Sequence, residues 1–151
     1  MGKADFRVVA SLFILLPPSE SKAEGGSTTA KWRESSGTFG KQLATQRKAL
    51  VDQLAKSKGG DEKLLGVGKA HLARAKLANV SLIGAPTLAA NERYTGVVWD
   101  HLDIATLNSA QRTRAMHSIV VISGLLGAVS AADPVPCLLY TSDAADEGLG
   151  V

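Results

Sequence analysis

Ser19, Glu20 and Lys22 set a hydroxyl, a carboxylate and an ammonium close together, directly after Pro17-Pro18. Those groups could bind and polarise a small phosphorylated or nucleotide-like ligand. They are equally the composition of a proline-stiffened turn with solvated charges. Tyr94, Thr95 and Gly96 form a second cluster, in which the glycine would let backbone or ligand approach closely. Ser123-Gly124 offers a hydroxyl where a nucleophile could stand, yet Val121 occupies the first glycine position of a nucleophile elbow. No Asp-His pair can be assigned to it. The catalytic residues therefore stay unassigned, with Ser19, Glu20, Lys22, Tyr94, Thr95 and Ser123 as the candidates, and whether the chain is an enzyme is left open.

A third cluster has a different chemistry. Leu65-Gly66-Val67-Gly68-Lys69, between two apolar-periodic stretches, resembles the hairpin of a helix-hairpin-helix DNA-binding element. Such a hairpin presents backbone N–H groups and a helix N-terminus to a phosphate, with basic residues beside them. Gly66, Val67, Gly68 and Lys69 are the residues that would do this, and a plain helix-helix turn is the alternative. Other patterns fail. A phosphate loop would need glycine where Lys63 stands, and a dinucleotide loop from Gly66 ends on His71. His71, His101 and His117 lie in separate segments without metal-ligand spacing. His101 with Asp100 and Asp103 could bind iron, but ordinary surface polar residues explain the three equally well. No metal site and no cofactor are expected. The single Cys137 excludes an internal disulfide and a CxxC motif.

Elements that could position these residues alternate between strands and helices. Residues 8–16 are a nearly continuous apolar run that predicts a strand buried on both faces. Lys3 and Arg7 ahead of it superficially suggest a secretory signal, but no small-residue cleavage site follows and two prolines do. Residues 17–40 read as one long loop. Residues 41–58 read as a helix with Leu43, Leu50, Val51 and Leu54 inward. Asp61 caps a short turn through Leu65, and residues 69–79 form another helix with Ala73 and Leu77 inward. Pro86-Thr87 opens a loop, and 94–99 is a short strand. Asn108 or Ser109 caps a helix ending near His117, and 118–123 is a second buried strand closed by Gly124. The fold class is mixed α/β (α+β), a mixed sheet with flanking helices and a helix-hairpin-helix-like element.

Composition supports one soluble domain with a core of aliphatic residues, because aromatics are only 5%. No apolar run reaches the roughly 18–20 residues of a membrane span, so no membrane partner is expected. Up to Pro136 the chain carries 17 basic and 11 acidic residues, a net of +6. That excess is compatible with a polyanionic partner.

Three segments in order resemble the YaaA (peroxide stress protein) family. Leu15-Leu16-Pro17-Pro18-Ser19-Glu20-Ser21-Lys22 resembles the family's opening strand and its Pro-Pro-Ser-Glu-Gly-Lys signature, with Ser21 for the glycine. Arg93 to Asp103 is similar to its Tyr-Thr-Gly segment. Val120 to Val129 looks like its Leu-Ser-Gly-Leu-Tyr-Gly-Val-Leu segment, and Asp133, Val135 and Pro136 continue that motif, with Ala131 where the family has proline. The resemblance implies a cytoplasmic bacterial protein that limits oxidative damage under peroxide stress. It further implies lowered free intracellular iron, and double-stranded DNA as a partner. The rival is an enzyme acting on a small ligand at the three loops above.

The resemblance stops after Pro136, so residues 1–136 read as the amino-terminal part of a single YaaA-like domain. Residues 137–151 resemble one reading frame of a transposase adapter used in sequencing libraries, and are expected to be a non-native tail.

Overall fold

The structure, a computed structural model, describes residues 12–19, 21–66 and 68–137. Val8 to Ser11, Glu20, Val67 and the tail beyond Cys137 lie outside the described residues.

The elements follow the expected alternation. They are β1 (Ile14–Leu16), β2 (Ser27–Lys31), α1 (Gly40–Lys56), α2 (Glu62–Leu65), α3 (Lys69–Val80), β3 (Pro86–Ala89), α4 (Ala90–Arg93), α5 (Val97–Leu102), a 3-10 turn (Ile104–Thr106), α6 (Ser109–Ser118), β4 (Ile119–Ser123), β5 (Gly127–Ser130) and β6 (Pro134–Pro136). The fold is α+β.

Two small sheets form among the described residues. One is mixed, in the order β1-β4-β5. β1 runs parallel to β4 with Ile14 opposite Ile119 and Leu16 opposite Val121, and β4 turns back into β5 with Val121 opposite Val129. The other sheet is antiparallel, in the order β2-β3-β6. Its outer strand holds Pro134 and Pro136, tolerated because proline has no N–H to give a ladder on a free edge. The core gathers Trp32, Leu82, Trp99, Val121, Leu126 and Val135. β4, with Ile119, Val120 and Val121 all buried, is its central strand.

Several expectations need correction. β1 is not covered on both faces: Leu12, Phe13, Ile14 and Leu15 are 72%, 58%, 43% and 65% exposed. Within the described residues β1 has β4 on one side only, so its apolar run lacks the second layer that a parallel strand ordinarily has. Residues 17–40 are not one loop, because β2 lies within them. Pro86-Thr87 opens β3 and not a loop. The stretch 94–99 is not a strand. Tyr94 makes one isolated bridge to Lys22, and Gly96, at φ 104, starts α5. In α3 the buried residues are Ala75 and Asn79, whereas Ala73 and Leu77 are exposed. In α1 Leu43, Val51 and Leu54 are half-buried, but Leu50 is 42% exposed. The deepest side chain of that helix is Arg47.

Candidate functional site

Parallel pairing of β1 with β4 puts both carboxyl-terminal ends at one edge of the sheet. The Pro17–Lys22 loop leaves from one and Ser123-Gly124 from the other, which is where ligands bind in open α/β sheets.

The Tyr94-Thr95-Gly96 segment closes on this loop from the other side. The hydroxyl of Ser19 donates to the carbonyl of Thr95. The Thr95 amide donates to the Ser21 carbonyl at 3.1 Å, and the Ala23 amide to the Arg93 carbonyl at 2.8 Å. Lys22 Nζ donates to the Ser19 carbonyl at 2.8 Å and sits 5.9 Å from the centre of the Tyr94 ring, within reach of a cation–π attraction. Tyr94 in turn stacks on Trp99, ring centres 5.3 Å apart. A side chain at Gly96 would meet Ser19 Oγ at 3.3 Å.

Four of the six candidates are thus brought together: Ser19, Lys22, Tyr94 and Thr95. Glu20 lies outside the described residues. Ser123 uses its hydroxyl locally, accepting the Leu126 amide at 3.2 Å and so closing the β4–β5 turn. That bond gives the serine a structural task.

Two buried groups that sequence reasoning missed hold the frame. Arg93 anchors the loop that follows Lys22. Its Nε donates to Val135 O at 3.2 Å, its Nη1 to Ala23 O and its Nη2 to Gly25 O at 2.9 Å. Burial pushes this guanidinium below its ordinary pKa, opposed by the nearby Cys137 and Tyr94 side chains. Arg47 does the same for the turn that follows β4. It donates to the carbonyls of Leu126, Glu34, Ser36 and Ala128 at 2.7–3.2 Å. Burial lowers its pKa too, with Asp133 acting against the shift. Asp133 accepts from the Thr38 amide, the Thr38 hydroxyl and the Ser130 amide at 2.7–2.8 Å. Nothing in the apolar periodicity announces a buried arginine. The only available signal was an arginine on the inward side of α1.

The glycine hairpin forms a separate surface. Asp61 caps α2 by accepting the Leu64 amide at 2.8 Å. Gly66 ends α2 in the left-handed region at φ 62, and Gly68 occupies the N-cap position of α3 with no side-chain cap. No acidic residue lies in the first turn of α3. A Cβ on Gly68 would meet nothing within 4 Å, and the residue is exposed. Lys63 and Lys69 are exposed on either side. Arg74, by contrast, is ion-paired with Glu24.

Packing fixes the hairpin on α1. Leu65 is buried, and buried Asn79 donates from Nδ2 to Gly59 O at 2.9 Å. Gly59 is required at that crossing, because a Cβ there would lie 2.5 Å from the Lys76 carbonyl oxygen. Val67 lies outside the described residues.

His101, weighed with Asp100 and Asp103 between an iron ligand set and ordinary surface polar residues, places Nδ1 2.7 Å from Val97 O. Among the described residues no group of three or more His, Cys, Asp or Glu side chains converges as a metal site.

The family model for "Peroxide stress protein YaaA" matches residues 12–138. The chain belongs to the peroxide stress protein YaaA family. A UPF0246 protein of Streptomyces coelicolor is 36% identical over 144 residues, covering 92% of this chain and 54% of the relative. UPF0246 proteins of Corynebacterium glutamicum and Corynebacterium efficiens are 33% and 34% identical, each covering 83% of this chain and 49% of the relative. The chain spans about half the length of these curated relatives. Among the described residues no helix is long and apolar enough to cross a membrane.

Proposed function

We propose that this chain is the part of a YaaA-family peroxide-stress protein that contacts double-stranded DNA in the cytoplasm, through the backbone and lysines of the α2–α3 hairpin. The observation that carries the reading is the open, uncapped N-terminus of α3 at Gly68, without an acidic first turn and flanked by exposed Lys63 and Lys69. A helix N-terminus carries partial positive charge and unpaired N–H groups, which suits a phosphate oxygen. Such a contact reads the sugar-phosphate backbone and not the bases, so it is sequence-independent. In that setting the protein limits peroxide damage where DNA would suffer it, together with lowering the free iron that generates hydroxyl radicals.

Fluorescence anisotropy with a labelled duplex tests it. Lys69→Glu should weaken binding about tenfold or more, equally for unrelated sequences, while Lys22→Ala leaves it unchanged. Equal affinity of K69E and the parent chain would exclude the hairpin as the DNA contact.

A second reading is favoured by one observation, the convergence of the Pro17–Lys22 loop and Ser123 at one sheet edge. There the chain would act on a small phosphorylated or nucleotide-like ligand held by Lys22 and the Tyr94-Thr95 backbone. The same pair of variants separates the two. An enzyme fails with K22A and tolerates K69E, with turnover of a phosphorylated ligand panel as the readout.

A further inference from the structure

Arg74 stands on α3 six residues after Gly68, about 9 Å along the helix axis from that N-cap. The helix offers it no local counter-charge, because no Asp or Glu occurs between Glu62 and Glu92. A carboxylate reaches it instead from 50 residues away: Arg74 Nη2 donates to Glu24 Oε1 at 2.5 Å.

Glu24 is presented by a loop that is fixed on both sides. The Ala23 amide donates to the Arg93 carbonyl at 2.8 Å. The Arg93 guanidinium donates to the carbonyls of Ala23 and Gly25, the two neighbours of Glu24. Gly26 then lies against β3, where a Cβ would come within 2.9 Å of the Thr87 carbonyl oxygen. With the backbone already held, the pair with Arg74 orders little more than two side chains. It ties the loop that continues from Lys22 to the helix of the glycine hairpin.

Two properties suit this pair to exchange and not to permanent bracing. Its arginine and glutamate side chains are 50% and 72% exposed, and exposed ion pairs stabilise a fold little. A guanidinium also takes a phosphate in the way it takes a carboxylate, through paired N–H donors. We propose that Glu24 is an autoinhibitory carboxylate for the α2–α3 hairpin: it occupies Arg74, and a duplex phosphate must displace it to gain that cation. This regulation rests on the duplex reading of the hairpin. The chain then meets DNA with one cation withheld, and removing the charge of Glu24 releases it.

Fluorescence anisotropy with a labelled duplex over a salt series tests this in the parent chain, E24Q, R74A, E24Q/R74A and K69E. Glu24 and Arg74 are both exposed, so the exchanges leave the core untouched, and circular dichroism checks that the variants are folded. Glu24→Gln should tighten binding about threefold, the scale of one exposed ion pair, and steepen the log–log salt slope by about one. With Arg74→Ala in place, Glu24→Gln should add nothing, because the cation it releases is gone. Unchanged affinity in E24Q, while the parent binds duplex and K69E binds more weakly, would overturn the autoinhibitory contact and leave the hairpin reading standing. An equal gain from E24Q with and without R74A would also overturn it, since that is relief of general repulsion and not release of Arg74. Absence of duplex binding by the parent and E24Q alike would overturn the hairpin reading, and this inference with it.

Discussion

Arg47 and Arg93 are buried to 2% and 0% exposure, and among the described residues neither has a carboxylate partner at bonding distance. Both are instead neutralised by carbonyl dipoles, Arg47 by four and Arg93 by three. A guanidinium suits this because its planar fork can reach several acceptors at once and it stays charged when buried. Arg47→Ala should lower the unfolding free energy by about 3 kcal/mol or more, since it leaves buried carbonyls without donors, and chemical denaturation would measure that. Arg47→Lys should recover only part of the loss, because one ammonium cannot span four carbonyls in a plane. A smaller effect of R47A than of an exposed-site control such as Lys58→Ala would contradict this role. Ser19 and Lys22 were legible as a polar cluster, but their bonds were not. The partners they share among the described residues include the carbonyls of Thr95 and Ser19, and backbone acceptors leave no trace in side-chain types. The buried arginines were invisible for the same reason.

Among the elements, those with explicit boundary chemistry were the readable ones. α6 begins at Asn108 with a reciprocal capping box to Gln111, and the sequence placed that start within one residue. Asn108→Ala should destabilise the fold by about 1 kcal/mol, seen as a shift of the denaturation midpoint. α5 reads as a strand in the sequence because Val97-Val98-Trp99 is a short, β-branched apolar run, for which periodicity does not separate helix from strand. Two of those residues, Val97 and Val98, are 77% and 49% exposed, so hydrophobic burial did not select their conformation. β2, Ser-Thr-Thr-Ala-Lys, is exposed along its whole length and had no alternating pattern to detect. In α3 apolar residues lie on several sides, and the contact with α1 decides which are covered. The polar Asn79 is chosen because Gly59 O needs its donor. Gly59→Ala should separate α1 from α3, costing about 1–3 kcal/mol through overpacking at that crossing, with thermal unfolding as the readout.

For the molecule as a whole, the α+β class and the order of elements were legible, because strand and helix signals alternate along the chain. The completeness of the sheet was not legible, since that depends on neighbours a single strand does not specify. Leu12 and Phe13 just ahead of β1, Leu15 on β1 and Ile122 on β4 are all exposed apolar residues. Exposed apolar patches of this kind mark interaction surfaces or aggregation sites. The chain should bind a solvatochromic dye such as ANS in its folded state, and Phe13→Ser with Leu15→Ser should reduce that signal while leaving the far-ultraviolet circular dichroism intact. Charge is likewise a property of the whole, and the net of +6 up to Pro136 is compatible with the phosphate contact proposed for the hairpin. The decisive measurement is the salt dependence of duplex binding by the parent chain and by K69E. The affinity of the parent should fall steeply with salt, and K69E should bind more weakly with a log–log slope shallower by about one, the share of one phosphate contact. Identical slopes for the two proteins, or binding indifferent to salt, would contradict a phosphate contact at the α2–α3 hairpin.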